Sequence, residues 1–105
     1  MTDIKTPEQA TSLNDVRVGI DDIDRRIIEA LALRMRYVER ASCFKASAAD
    51  IPAPERVAAM LPERRKWANA AGIDGNFVIE LYERIIPWYI ARQIDYWGNH
   101  RSGQT

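Results

Sequence analysis

Cysteine and histidine are almost missing from this 105-residue chain, with one of each, Cys43 and His100. A lone cysteine closes no intrachain disulfide, and one histidine without CxxC or HxxxH spacing supplies no set of metal ligands. The same scarcity removes the Cys/His and Ser/His arrangements of nucleophilic catalysis, which need a base beside the nucleophile. No Gly-rich phosphate loop is present. Apolar runs are short, far below the roughly 20 residues that cross a bilayer. Residues 1–14 are polar and hold no apolar run of a secretory leader, so a cytoplasmic protein is expected. An excess of either charge is missing as well. Fifteen Lys and Arg balance fifteen Asp and Glu, so no global field draws the chain to nucleic acid or to an anionic membrane. Neither partner is expected.

What is present is helical periodicity. With 47% hydrophobic residues, the length suits a single helical domain over 1–105, ordered from about 12 to 98, with flexible termini. Three helices are predicted and no strand, an all-α class. The first starts after Thr11-Ser12, with Ser12 as N-cap, and runs to Phe44 or Lys45. Its stripe is Leu13, Val16, Ile20, Ile23, Ile27, Leu31, Met35 and Val38, spaced three and four apart. Residues 46–53 read as a loop. Pro54 suits the first turn of a second helix carrying Val57, Met60 and Leu61, which Pro62 has to kink or restart and Ala71-Gly72 ends. Asp74 caps a third helix through Phe77, Leu81, Ile85, Trp88, Tyr89, Tyr96 and Trp97, bent at Pro87 and stopped at Gly98-Asn99.

A first helix of about 32 residues is about 48 Å long, whereas a compact domain of this size has a radius of gyration near 13 Å. Such a stripe overhangs its own chain. An intertwined helical homodimer is therefore expected.

Candidate chemistry rests on cations and one amide. Continued as an ideal helix, Arg34 and Lys45 point within roughly 20° of each other and lie about 16 Å apart, close enough for long side chains to converge on a small anion. Arg17 is about 25 Å from Arg34 and rotated by roughly 100°, so it reaches such a site only from a partner chain. The alternative is that all three are solvated. Gln93 follows Tyr89 by four residues and Ile85 by eight, which puts an amide on or near an apolar face, to bond either the core backbone or a ligand. Arg56 stands in the first turn of the second helix, as an anion-binding cation or as the ion-pair partner of Glu55 or Glu63. The Trp and Tyr side chains at 88, 89, 96 and 97 read as core or interface.

The ordered set Arg17, Asp21-Asp22-Ile23-Asp24, the 31–34 segment, Lys45, Arg56 and Gln93 resembles the all-helical chorismate mutase family. Phe44-Lys45-Ala46-Ser47, followed by the 51–64 segment from Ile51-Pro52-Ala53-Pro54 to Leu61-Pro62-Glu63-Arg64, is similar to its salicylate-forming branch, the bacterial isochorismate-pyruvate lyases. The resemblance spans about residues 6–97. It implies an intertwined dimer with two sites, each built from one chain plus an arginine of the other. Arg34 and the Arg17 supplied in trans would bind the substrate carboxylates, Arg56 would be a further substrate-binding arginine, and Lys45 and Gln93 would approach the ether oxygen. No cofactor or metal is implied. The mutases of the family commonly carry a glutamate after the arginine that matches Arg56 and an acidic residue three positions before it. This chain has Val57 and Ala53 there, as expected of the lyase branch.

Overall fold

The computed structural model describes residues 4–102, and the side chains of residues 4–99. Among them every regular element is helical. A 3₁₀ turn at Pro7–Gln9 precedes α1 (Leu13–Ser42), a second 3₁₀ turn lies at Ala48–Asp50, and α2 (Pro54–Ala71) and α3 (Gly75–Ser102) follow. The chain gathers into two compact units that divide within α1, after Arg36.

In the first unit a network of caps starts α1. The Asp15 backbone N–H donates to Ser12 Oγ at 3.0 Å, the predicted N-cap. The Asp15 carboxylate in turn accepts from the Thr11 backbone N–H at 3.0 Å, from the Thr11 hydroxyl at 3.1 Å and from Lys5 Nζ at 3.0 Å. The preceding 3₁₀ turn carries its own capping box, Thr6 with Gln9. Part of the segment expected to be flexible is therefore tied down. Residues 1–3 and 103–105 and the His100 side chain lie outside the described residues.

α1 ends before its predicted limit, and the backbone shows why. Ser42, 1% exposed, turns its hydroxyl back to the Glu39 carbonyl. The next three amides bond three residues back, Cys43 to Arg40, Phe44 to Ala41 and Lys45 to Ser42. Tightening from i−4 to i−3 closes the helix and turns the chain at Lys45.

The second unit is an α2–α3 hairpin with the 44–53 segment. Gly72, at φ 81°, closes α2 in the left-handed conformation that costs glycine nothing. Asp74 Oδ1 accepts from the Asn76 N–H at 2.8 Å and starts α3 as predicted. Gly75 sits close against α2: a Cβ there would meet Arg65 Cγ at 2.9 Å and Asn69 Oδ1 at 3.1 Å. The inner face of α2 carries Met60 and Ala68, 5% exposed each, and that of α3 carries Ile86, Tyr89 and Gln93, 8%, 4% and 6% exposed. These spacings of three, four and eight are one helical face. Arg64 clips the hairpin. Its guanidinium lies 4.6 Å from the Trp67 ring centroid and 5.9 Å from that of Tyr82, and pairs with Glu63 at 2.8 Å. Both helices run unbroken through Pro62 and Pro87, so the predicted restart at Pro62 does not occur. α3 also passes Gly98-Asn99 and continues to Ser102, because nothing in its last turns adopts a left-handed stop.

Candidate active site

Each predicted site residue follows from its element. Arg17 and Arg34 ride on α1, Arg17 exposed and Arg34 half-buried. They belong to one unbroken helix, so the separation of about 25 Å along it stands. The helical projection that aligned Arg34 with Lys45 does not survive, because α1 closes at Ser42 and Lys45 follows the i−3 turn.

In the second unit the α2–α3 hairpin sets the register. Arg65 Nη1 donates to Asn76 Oδ1 at 2.6 Å, and Arg64 lies over Tyr82. Across such an antiparallel pair residue numbers sum to about 141–146, which places Arg56 level with residues about 85–90 and Gln93 level with the segment about 48–53. The 3₁₀ turn Ala48–Asp50 indeed packs on α3. Ile51, 2% exposed, anchors the end of that turn. At its other end the Trp97 indole N–H donates to the Lys45 carbonyl at 3.4 Å. Lys45, half-buried, is thereby brought to the α3 turn that follows Gln93.

Gln93 has the clearest chemical signature. It is 6% exposed, yet none of the described residues hydrogen-bonds its amide. The reading that it satisfies a core backbone group is not met. The amide of this otherwise buried side chain is not itself sealed from solvent, so a bound oxygen can reach it. Arg56 is exposed in the first turn of α2, and Glu63, one of its two candidate ion-pair partners, pairs with Arg64 instead. Of the four aromatic positions, Tyr89 is buried, Tyr96 and Trp97 are half-buried, and Trp88 is 52% exposed, with Tyr89 edge-on to it at 5.2 Å. The sequence places Trp97 only in the core or an interface. Its donor role has no signature in sequence, because it depends on a carbonyl 52 positions away.

The two residues that depart from the mutase pattern also have structural places. Val57 lies on the inner face of α2, in line with Met60, Arg64 and Ala68. Ala53, the N-cap of α2, sits at φ 41°, ψ 62° and offers no side-chain cap.

A family model for chorismate mutase type II matches residues 16–94. The chain belongs to that family. The matched span holds Arg17, Arg34, Lys45, Arg56 and Gln93 together. Among curated proteins the chain is similar to the isochorismate pyruvate lyase of Pseudomonas aeruginosa, 59% identical over 94% of this chain and 98% of that one. It is also similar to the T-proteins of Haemophilus influenzae, 36% identical over 71% of the chain, and of Enterobacter agglomerans, 32% over 70%, covering 20% of each relative's length. The all-α, three-helix expectation from sequence agrees with this family. No helix among the described residues is long and apolar enough to cross a membrane.

Proposed function

We propose that this type II family member is an isochorismate-pyruvate lyase, converting isochorismate to salicylate and pyruvate. In the reaction the ether C–O bond breaks while a ring hydrogen moves to the enolpyruvyl methylene, which becomes the methyl of pyruvate as the ring aromatises. Atoms balance without a nucleophile, redox partner or external base. Such a cyclic rearrangement is accelerated by holding a flexible dianion in its reactive fold and by placing donors where negative charge grows on the ether oxygen. Arg34 and an Arg17 from a second copy bind the carboxylates, Arg56 is a further substrate-binding arginine, and Lys45 and Gln93 serve the ether oxygen. The observation that carries the reading is Gln93, a side chain 6% exposed on the inner face of α3 whose amide takes no hydrogen bond from the described residues and is not sealed from a ligand, one turn from the helix turn that holds Lys45. The name and high identity of the Pseudomonas relative support it.

The protein works as a homodimer in this reading. Leu13, Val16, Ile20, Ile23 and Ile27 of α1 are 43–61% exposed in the single chain. Covering the remaining half of each adds on the order of 1 kcal/mol, so five from each of two copies supply about 10 kcal/mol, comparable to the cost of association. A cytoplasmic setting accords with the single cysteine.

Incubation of the purified protein with isochorismate should release salicylate, followed by its fluorescence, together with equimolar pyruvate. A second reading, rearrangement of chorismate to prephenate, is favoured by the family match itself and disfavoured by Val57 and Ala53, which offer no polar group to a ring hydroxyl. Prephenate formed faster than salicylate from equal substrate would replace the first reading with the second.

A further inference from the structure

Between the end of α1 and the start of α2, the segment around Lys45 is held to α3 at two places. Ile51 is buried, at 2% exposure, and closes the 3₁₀ turn through its N–H to the Ala48 carbonyl at 3.2 Å. Residues 46, 47, 49 and 50 between the two anchors are exposed, so the segment has little packing of its own. At the other place the contact is polar: the Trp97 indole N–H reaches the Lys45 carbonyl at 3.4 Å across a half-buried region. Trp97 is four residues beyond Gln93, hence on the same face of α3 and about 6 Å further along it.

We infer that Trp97 is a positioning residue that latches the backbone of Lys45 to α3, so that the ammonium of Lys45 and the amide of Gln93 act from the same helical face on one oxygen. Indole suits the task physically. It has one donor and no acceptor, so its polar group has a single use, and its large ring fixes the donor direction through packing. A carbonyl acceptor places the latch on the Lys45 backbone and not on its side chain. This inference rests on the reading of Lys45 and Gln93 as the ether-oxygen donors.

The test has two arms. In the first, amide hydrogen exchange is followed without any ligand in the wild type and in Trp97→Phe, which keeps an aromatic ring and removes the donor. The latch predicts faster exchange of the Asp50 and Ile51 amides, which are bonded within the 3₁₀ turn, and unchanged exchange in the middle of α2. Unchanged exchange at Asp50 and Ile51 overturns it, whatever reaction the protein catalyses. In the second arm, kcat with isochorismate should fall about three- to tenfold in Trp97→Phe, the worth of one neutral hydrogen bond, with KM little changed. In a Lys45→Ala background the same substitution should then have no further effect on kcat. An equal loss in both backgrounds assigns Trp97 to general packing and overturns the latch. Absence of wild-type turnover would sink the lyase reading alone, leaving the exchange arm to decide. Should Trp97→Phe unfold, site-specific benzothienylalanine at position 97, with sulfur in place of N–H, gives the same two readouts at native ring size.

Discussion

Arg17 and Arg34 are carried by one unbroken helix and stand about 25 Å apart along it. No side-chain reach closes that gap, so a site that uses both cations takes them from different chains. Arg17→Ala and Arg34→Ala should each lower kcat/KM by 100-fold or more as homodimers, the order of magnitude for losing a charged positioning group. Unfolding and refolding the two variants together should restore about a quarter of wild-type activity, because half the dimers are mixed and each mixed dimer has one intact site. Activity that stays at the level of the separate variants would show that both arginines serve the same chain or that one serves none.

Gln93→Leu separates chemistry from stability. The substitution keeps the volume and removes an amide that none of the described residues bonds. The amide is not sealed from solvent, so its removal breaks no internal hydrogen bond and relieves no buried unpaired group, and Tm should move by no more than a few degrees, about 1 kcal/mol in a chain of this size. Loss of a donor to developing negative charge should lower kcat about 100- to 1,000-fold. Thermal unfolding and steady-state kinetics on the same preparation check both halves; a falling Tm with unchanged kcat contradicts the assignment.

Asp15 makes the start of α1 sensitive to acid. The Thr11 backbone N–H first, and the Lys5 ammonium next, lower its pKa from 3.8 to about 2. A carboxyl with a depressed folded pKa contributes stability that is present in full above 3.8 and is lost as pH falls through 2. Amide exchange at Thr11 and Asp15 should therefore accelerate between pH 4 and pH 2, with the expected exchange chemistry divided out. Asp15→Asn should flatten that dependence. The carboxylate lies at the surface, its side chain 21% exposed, and is screened by salt, so the effect stays local to the cap.

Ala53 occupies the left-handed region at φ 41°, where a Cβ costs roughly 1–2 kcal/mol. Glycine removes that cost and adds some unfolded-state entropy. Ala53→Gly should stabilise by about 0.5–1 kcal/mol, and Gly72→Ala, at φ 81°, should destabilise by about 1 kcal/mol. Urea midpoints of the two variants should move in opposite directions.

Composition and spacing alone determined a good part of this protein. The three helices, the Ser12 and Asp74 caps, Pro54 in the first turn of α2 and the Gly72 stop are local features. Each is set by side chains within four residues of the position they act on, and sequence displays those directly. The separation of Arg17 from Arg34 was legible for the same reason, since helical rise is constant. Tertiary structure decided the rest. The alignment of Arg34 with Lys45 assumed a helix that in fact closes at the buried Ser42, and burial is a property of neighbours distant in sequence. Proline at 62 and 87 is tolerated within continuous helices, because packing of the α2–α3 hairpin outweighs one missing backbone hydrogen bond in each. That Gln93 lies on the packed face of α3, and that Trp97 meets the carbonyl of Lys45, depend on an antiparallel register set by Arg65, Asn76 and Gly75. Contacts between residues some 50 positions apart leave no periodicity to read, and only the folded chain brings them into bonding distance.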